Sequence, residues 1–345
     1  MNPNRLSKLI GVLAFVSLAF LPIFLPGYLI FQVSIALTYA IAILGLNLIM
    51  GFNGQISLAQ GVFFAVGGYI VAILMTTYGV SFWLALPIAI VAATILGVLI
   101  GIPALRLQGL QLAILTLVLA AVVPPLILRM EKFTKGTMGI ALEQPQAPVW
   151  MSQDTFVYFV CLASAGLCIV VMLQLVRGET GRRLKSVRDN PTIAESFGVD
   201  IARTKIAAFA ASAAFAGFAG GLFAMANAFV SPDSYQIFKS FEFLAGAIIG
   251  GITSISGAFI GAVIVVFLPE WSAHISLAMA GIVYGATLVV MMLVAREGVV
   301  GLLRTIFFRL FERFNPEAAA REEKRLAKSA SSLTRHNKLE KTGRK

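Results

Sequence analysis

Two short polar stretches are where this chain has residue types suited to chemistry. The first, Gly51-Phe-Asn53-Gly-Gln55-Ile-Ser57-Leu-Ala-Gln60-Gly61, sets amides and a hydroxyl among glycines. The second, Gly250-Gly251-Ile-Thr253-Ser254-Ile-Ser256-Gly257, does the same with hydroxyls. Glycine lets a backbone approach closely. Amides and hydroxyls beside it suit reversible hydrogen bonding rather than bond making. Asn53, Gln55, Ser57, Gln60, Thr253, Ser254 and Ser256 are the candidates, with Thr116 added from the run Leu105–Leu117. The competing reading for each is packing, because the same residue types glue apolar helices together.

Catalytic and metal chemistry find little support. No G-x-x-x-x-G-K-[ST] phosphate loop occurs, so ATP hydrolysis is not expected of this chain. His274 and His336 are too isolated for a metal site, and no cofactor is expected. His274 is expected at the start of a helix. Cys161 and Cys168 fall about two helical turns apart on one face, too far for a disulfide, and read as buried thiols.

The elements that hold these stretches follow from charge. Leu9 to Leu105 contains no Asp, Glu, Lys, Arg or His. Charges are absent again from Leu107–Leu128, Thr155–Val176, Ile206–Pro232, Phe243–Pro269 and Ile275–Ala295. A bilayer core of ~30 Å needs about 20 apolar residues per helical crossing. Backbone polar groups in lipid must be satisfied within the segment, so the crossings are helices. The fold class is an all-α polytopic membrane protein of about eight crossings, near 9–25, 28–50, 56–77, 83–102, 107–129, 154–176, 206–229 and 274–294. Arg5 and Lys8 before the first run resemble a signal-peptide start, but no small-residue cleavage site follows, and an uncleaved span is expected.

Net charge of +11 raises nucleic acid as a partner, and its placement argues against it. Thirteen of the 27 Lys and Arg lie between Arg296 and Lys345, and seven between Arg177 and Lys205. That clustering marks cytoplasmic segments of a membrane protein, with both termini and the 177–205 loop inside. The basic tail sets parity. For it to end inside, Phe243–Pro269 must return to its own side, so two half-helices meeting at Gly250–Gly257 are expected as a re-entrant hairpin. The alternative is a glycine-kinked span. Gly97/Gly101, Gly217/Gly221, Gly246/Gly250 and Gly281/Gly285 read as packing surfaces. The transmembrane domain is expected over 1–300. An amphipathic helical tail over 301–328 carries Arg304, Arg309 and Arg313 toward anionic lipid headgroups, and 329–345 is expected to be disordered.

Acidic or histidine side chains at bilayer depth mark proton-coupled carriers, and none is expected at depth here. That leaves a passive pore, a sodium-coupled carrier, or a permease powered by another subunit. The segment 181–205 is short, mixed in charge and helix-prone; Asn190-Pro191 starts a helix and Gly198 stops it. It is a candidate docking element.

Arg188-Asp-Asn-Pro-Thr-Ile-Ala-Glu-Ser-Phe-Gly198 resembles the coupling loop of ATP-binding-cassette importer permeases of the branched-chain amino acid type, the LivM/LivH group. Gly51–Gly61, Leu105–Leu117, Lys205–Ala224 and Gly250–Gly261 match the same family in order, and the likeness covers roughly 28–298. The arginine-bearing start of the loop Arg129–Gly139 is closer to LivM than to LivH. Ser196 stands where alanine is usual, and Lys135 and Met138 replace smaller residues; urea and amide permeases share these motifs. The resemblance implies a second, homologous permease subunit, two cytoplasmic ATP-binding subunits and an external substrate-binding protein. It places Arg188, Asp189, Asn190, Glu195 and Gly198 in the ATPase-coupling loop. A urea, amide or sugar permease of the same architecture is the alternative.

Overall fold

The computed structural model of the chain describes residues 17–275 except Gln108, together with positions 285, 286, 289, 298 and 301. The chain falls into two units, Met1–Val299 and Val300–Lys345, and the fold described is that of the first.

Six helical segments among the described residues are long and apolar enough to cross a membrane. α1 (Gly27–Leu46) runs on through a π-helical turn, Asn47–Phe52. α2 (Gln60–Tyr78), α3 (Phe82–Ala104) and α4 (Leu110–Arg129) follow. α5 (Gln153–Arg177) leads into two shorter helices, α6 (Glu179–Asp189) and α7 (Pro191–Ser196), and then the long α8 (Ile201–Asn227). These match six of the expected crossings. The crossing expected at 9–25 is described only from residue 17, as helix over 17–24. That at 274–294, and the tail segments 301–328 and 329–345, lie almost wholly outside the described residues.

α8 is the central post, packed against α1, α2 and α3. Its sequence, IARTKIAAFAASAAFAGFAGGLFAMAN, is mostly Ala and Gly, and these let neighbouring backbones touch. A Cβ on Gly67 would strike the Gly217 carbonyl, and one on Gly220 the Phe64 carbonyl. Gly97 would press a Cβ to 2.5 Å of Ala213 Cβ. Three of the four expected glycine pairs therefore sit at close helix contacts. Of the fourth, Gly281 is outside the described residues and Gly285 faces open space.

One two-residue strand pair accompanies the helices. Ile140–Ala141 pairs antiparallel with Phe229–Val230, with Ile140 opposite Val230. This two-residue ladder, with Gln144 donating to the Met225 carbonyl at 3.0 Å, fastens the 130–153 loop to the end of α8. It also fixes that loop and the C-terminus of α8 at one end of the bundle. Gly27 lies beside Asp154 at the same end. α6, α7 and the π-helical end of α1 occupy the other.

α9 (Ile237–Gly250) and α10 (Ile255–Ile275) form a helical hairpin about the turn 251–254. They approach at Gly246 with Gly261 and at Gly250 with Gly257, so a single kinked helix is not what the glycines make. Gly251, at φ 103°, takes a conformation open to glycine. The arms are unequal. α9 has 14 residues and α10 has 21, so the second arm is longer than the half-helix expected, because it continues through Pro269 instead of ending there. His274 falls within α10, well past its first turn, not at a helix start.

Candidate functional site

The polar stretch after α1 begins with a broken helix. Asn47 opens the π-helical turn, and its Nδ2 donates to the Ser254 carbonyl at 3.1 Å, across to the hairpin turn. π-turns inside helices free backbone groups and recur at functional sites. Gly51 sits so close to Ile252 that a Cβ would enter the Ile252 carbonyl. The two polar stretches singled out in the sequence are thus in contact through Gly51–Ile252, and Asn47–Ser254 adds a bond just before the first of them. Asn47 was not anticipated; its signal was a lone amide in the apolar run Leu46-Asn47-Leu48.

The segment 188–198 reaches the same place. Arg188, at the end of α6, donates from Nη1 to the Gly51 carbonyl at 2.8 Å. Its Nε donates to Asp189 Oδ1 at 2.9 Å, which holds the guanidinium in place. Gly54, at φ 73°, lies against the Arg188 stem, with room for no Cβ. Lys185 Nζ lies 5.7 Å above the Phe52 ring. Arg188 therefore joins α6 to the break in α1, and the break touches the hairpin turn.

α7 has the ends the sequence indicated. Asn190 Oδ1 accepts from Ile193 N at 3.1 Å, Pro191 is the first helical residue, and Gly198 at φ 78° follows the last turn. Glu195, Ile193 and Phe197 are exposed, the last at 84%. Glu195, Gly198, Asp200 and Lys205 line a groove with Leu105, at the same end of the bundle.

The remaining candidates divide into two groups. Asn53 Nδ2 donates to Gln55 Oε1 at 2.8 Å, and both side chains are buried. Asn53 Oδ1 and Gln55 Nε2 are left without partners, as is Asn47 Oδ1. A buried polar group without a partner is costly and calls for a function or a guest. Gln60, Ser57 and Thr116 are satisfied within the fold. Gln60 donates to the Ala42 carbonyl at 2.6 Å and accepts from Ser212 at 3.0 Å. Ser57 Oγ accepts from Ala59 N, and Thr116 Oγ1 accepts from Leu58 N at 2.9 Å. Ser254 Oγ caps α10 by accepting from Gly257 N at 3.0 Å, while Thr253 and Ser256 are exposed.

One charged pair does not sit in a connection between helices. Lys239 in α9 bonds Glu242 Oε2 at 2.8 Å and the Tyr39 hydroxyl at 2.6 Å. Tyr39 is the thirteenth residue of the 26-residue span Gly27–Phe52, its midpoint. Scanning for uncharged runs placed Lys239 and Glu242 in a connection, because the runs stop at Pro232 and resume at Phe243. The i, i+3 spacing of opposite charges between Ile237, Phe238, Phe241 and Phe243 was the available signal. Cys161 and Cys168 are buried free thiols, as expected.

A family model described as the permease component of branched-chain amino acid transport systems matches residues 28–292. The high-affinity branched-chain amino acid transport system permease protein LivM of Escherichia coli K12 is 33% identical over 296 residues, covering 79% of this chain and 69% of that protein. LivM of Salmonella typhimurium matches to the same extent. A probable branched-chain amino acid transport permease protein LivH of Methanocaldococcus jannaschii is 28% identical over 237 residues, 64% of this chain and 73% of its own length. No solved structure matches.

Proposed function

The chain belongs to the family of branched-chain amino acid transport permeases, and on that premise we propose that it forms, with a second homologous permease subunit, the passage of an importer for branched-chain amino acids. Two cytoplasmic ATP-binding subunits drive it, and an external binding protein delivers the substrate. The observation that carries this reading is the contact chain Arg188–Gly51–Ile252. A chain without its own nucleotide site needs a mechanical path from its surface to its passage, and this is one.

The end of the bundle bearing α6 and α7 is cytoplasmic in this reading. Eight Lys and Arg fall in the connections there (Arg106, Arg177, Arg182, Arg183, Lys185, Arg188, Arg203, Lys205) against three at the other end (Arg129, Lys132, Lys135). Both chain termini lie on the same cytoplasmic side, and the tail's Arg304, Arg309 and Arg313 meet anionic lipid. The α9–α10 hairpin enters from outside, reaches the level of Gly51 and returns, which makes it re-entrant. Glu195 and Gly198 present α7 to the ATPase, with Asn190 as its cap. Asn53 and Gln55, with their open amide groups, and Ser254 beside Asn47 are the path contacts of the inner half. Gln60, Ser57 and Thr116 keep that segment in shape, and Thr253 and Ser256 edge the turn.

The test is uptake of radiolabelled leucine by proteoliposomes holding both permeases, with the ATPases and the binding protein supplied. Uptake that requires ATP is expected. Uptake without ATP, from a permease that captures no ATPase, would replace this reading with a stand-alone carrier.

A further inference from the structure

The Lys239–Glu242 pair has no evident structural reason to be where it is. Tyr39, which accepts from Lys239, lies roughly 18 Å along the helix from either end of its span, at 1.5 Å per residue. Charges at that depth are costly, and they are found facing a bundle interior or a water-filled path. The pair does not serve helix stability either. Lys239 is in the first turn of α9, where the helix dipole opposes a cation. Replacing such a pair by apolar side chains is often neutral for stability.

Its surroundings point to a guest. Tyr39 packs edge-on to Phe64 and Phe243, and Phe223 closes the group; all four rings are buried. Tyr235 stacks against Phe64 and, at 5.5 Å, against Tyr69. The Tyr69 and Tyr235 hydroxyls are buried without partners. An opposite-charge pair, an apolar aromatic wall and two unused hydroxyls therefore meet at mid-span. The pair is not sealed in: Lys239 and Glu242 side chains are 16% and 29% exposed, beside the exposed Phe238 and Phe241 of α9.

We propose that Lys239 and Glu242, bridged over Tyr39, form a mid-membrane gate that opens by exchanging partners with an apolar α-amino acid. The substrate carboxylate takes Lys239, its ammonium takes Glu242, and its side chain lies on the Phe64–Phe243 wall. One internal ion pair is replaced by two to a zwitterion, so no net charge enters the membrane. An ion without the opposite group leaves one partner bare, at the cost of an unpaired buried charge. The gate thereby selects zwitterions over simple anions or cations. This rests on the transport reading above and deepens it.

The experiment uses the complete transporter in proteoliposomes, with leucine as probe. Wild-type complex that moves no leucine would refute the transport reading itself, separately from the gate. With wild type active, Lys239→Met/Glu242→Leu is expected to assemble and to lower leucine moved per ATP hydrolysed by about tenfold or more, the scale of losing charge-assisted hydrogen bonds to substrate. Transport within about twofold of wild type would show an ion pair of structural value only, and would overturn the gate. If that variant fails to assemble, Tyr39→Phe decides, since it leaves both charges: a rise of about threefold or more in half-saturating leucine supports the gate, and an unchanged value overturns it.

Discussion

Arg188→Ala tests whether the coupling segment drives the break in α1. The guanidinium makes two contacts, to the Gly51 carbonyl at 2.8 Å and to Asp189 at 2.9 Å. Hydrogen bonds to charged groups contribute roughly 1.5–3 kcal/mol. The Arg188 side chain is 35% exposed, so water takes over part of its role, and the lower end, about 1.5 kcal/mol, applies. If the bond exists in one state of the transport cycle and not in the other, that energy shifts their balance about tenfold, since ~1.4 kcal/mol is one decade. Leucine uptake and ATP hydrolysis measured in the same proteoliposomes should show leucine moved per ATP falling about tenfold. ATPase co-purification should persist, because α7 is untouched. Arg188→Lys, which keeps the charge but not the planar fork, should fall between. An unchanged ratio would refute the relay. Loss of the ATPase together with uptake would also refute it, by making Arg188 a docking residue.

Glu195→Arg should reverse the charge offered by α7 and weaken ATPase capture in pull-down from detergent, with ligand binding by the external protein unaffected. Gly198→Pro should do the same, because Pro cannot adopt φ 78°. A cysteine at Thr137 should react with an impermeant maleimide on intact cells, while one at Ser186 should react only after permeabilisation; the reverse pattern would invert the topology. Gly67→Ala and Gly220→Ala should each lower stability by about 3 kcal/mol or more, since each drives a methyl into a carbonyl of the neighbouring helix. Gly79→Ala, at φ 64° in open space, should cost only about 1–2 kcal/mol, and thermal unfolding in detergent would order the three.

What the sequence displayed and what it hid differ in physical kind. Crossings were legible because hydropathy is a local sum over about 20 residues. The ends of α7 were legible because Asn-Pro and a left-handed Gly act within a few residues. The hairpin turn was legible because the basic tail sets the parity of crossings and the Gly, Ser and Thr residues of 250–257 interrupt the apolar run where the chain must return. The contact between the two polar stretches was not, since nothing in residues 47–61 encodes the distance to 251–254. Most informative is the pair that charge counting misplaced. Lys239 and Glu242 lower the local hydropathy, so a sum over the window reports a connection. Depth, however, is set by neighbours: Tyr39 holds Lys239 at mid-span, and Ser240 accepts from Gly61 N at 3.1 Å beside it. A short helix that begins inside the membrane need not be apolar where it meets protein instead of lipid. In a bundle where a charged helix start packs against the middle of α1, charge-free runs therefore locate what faces lipid, and the interruptions between them are where the passage has to be sought.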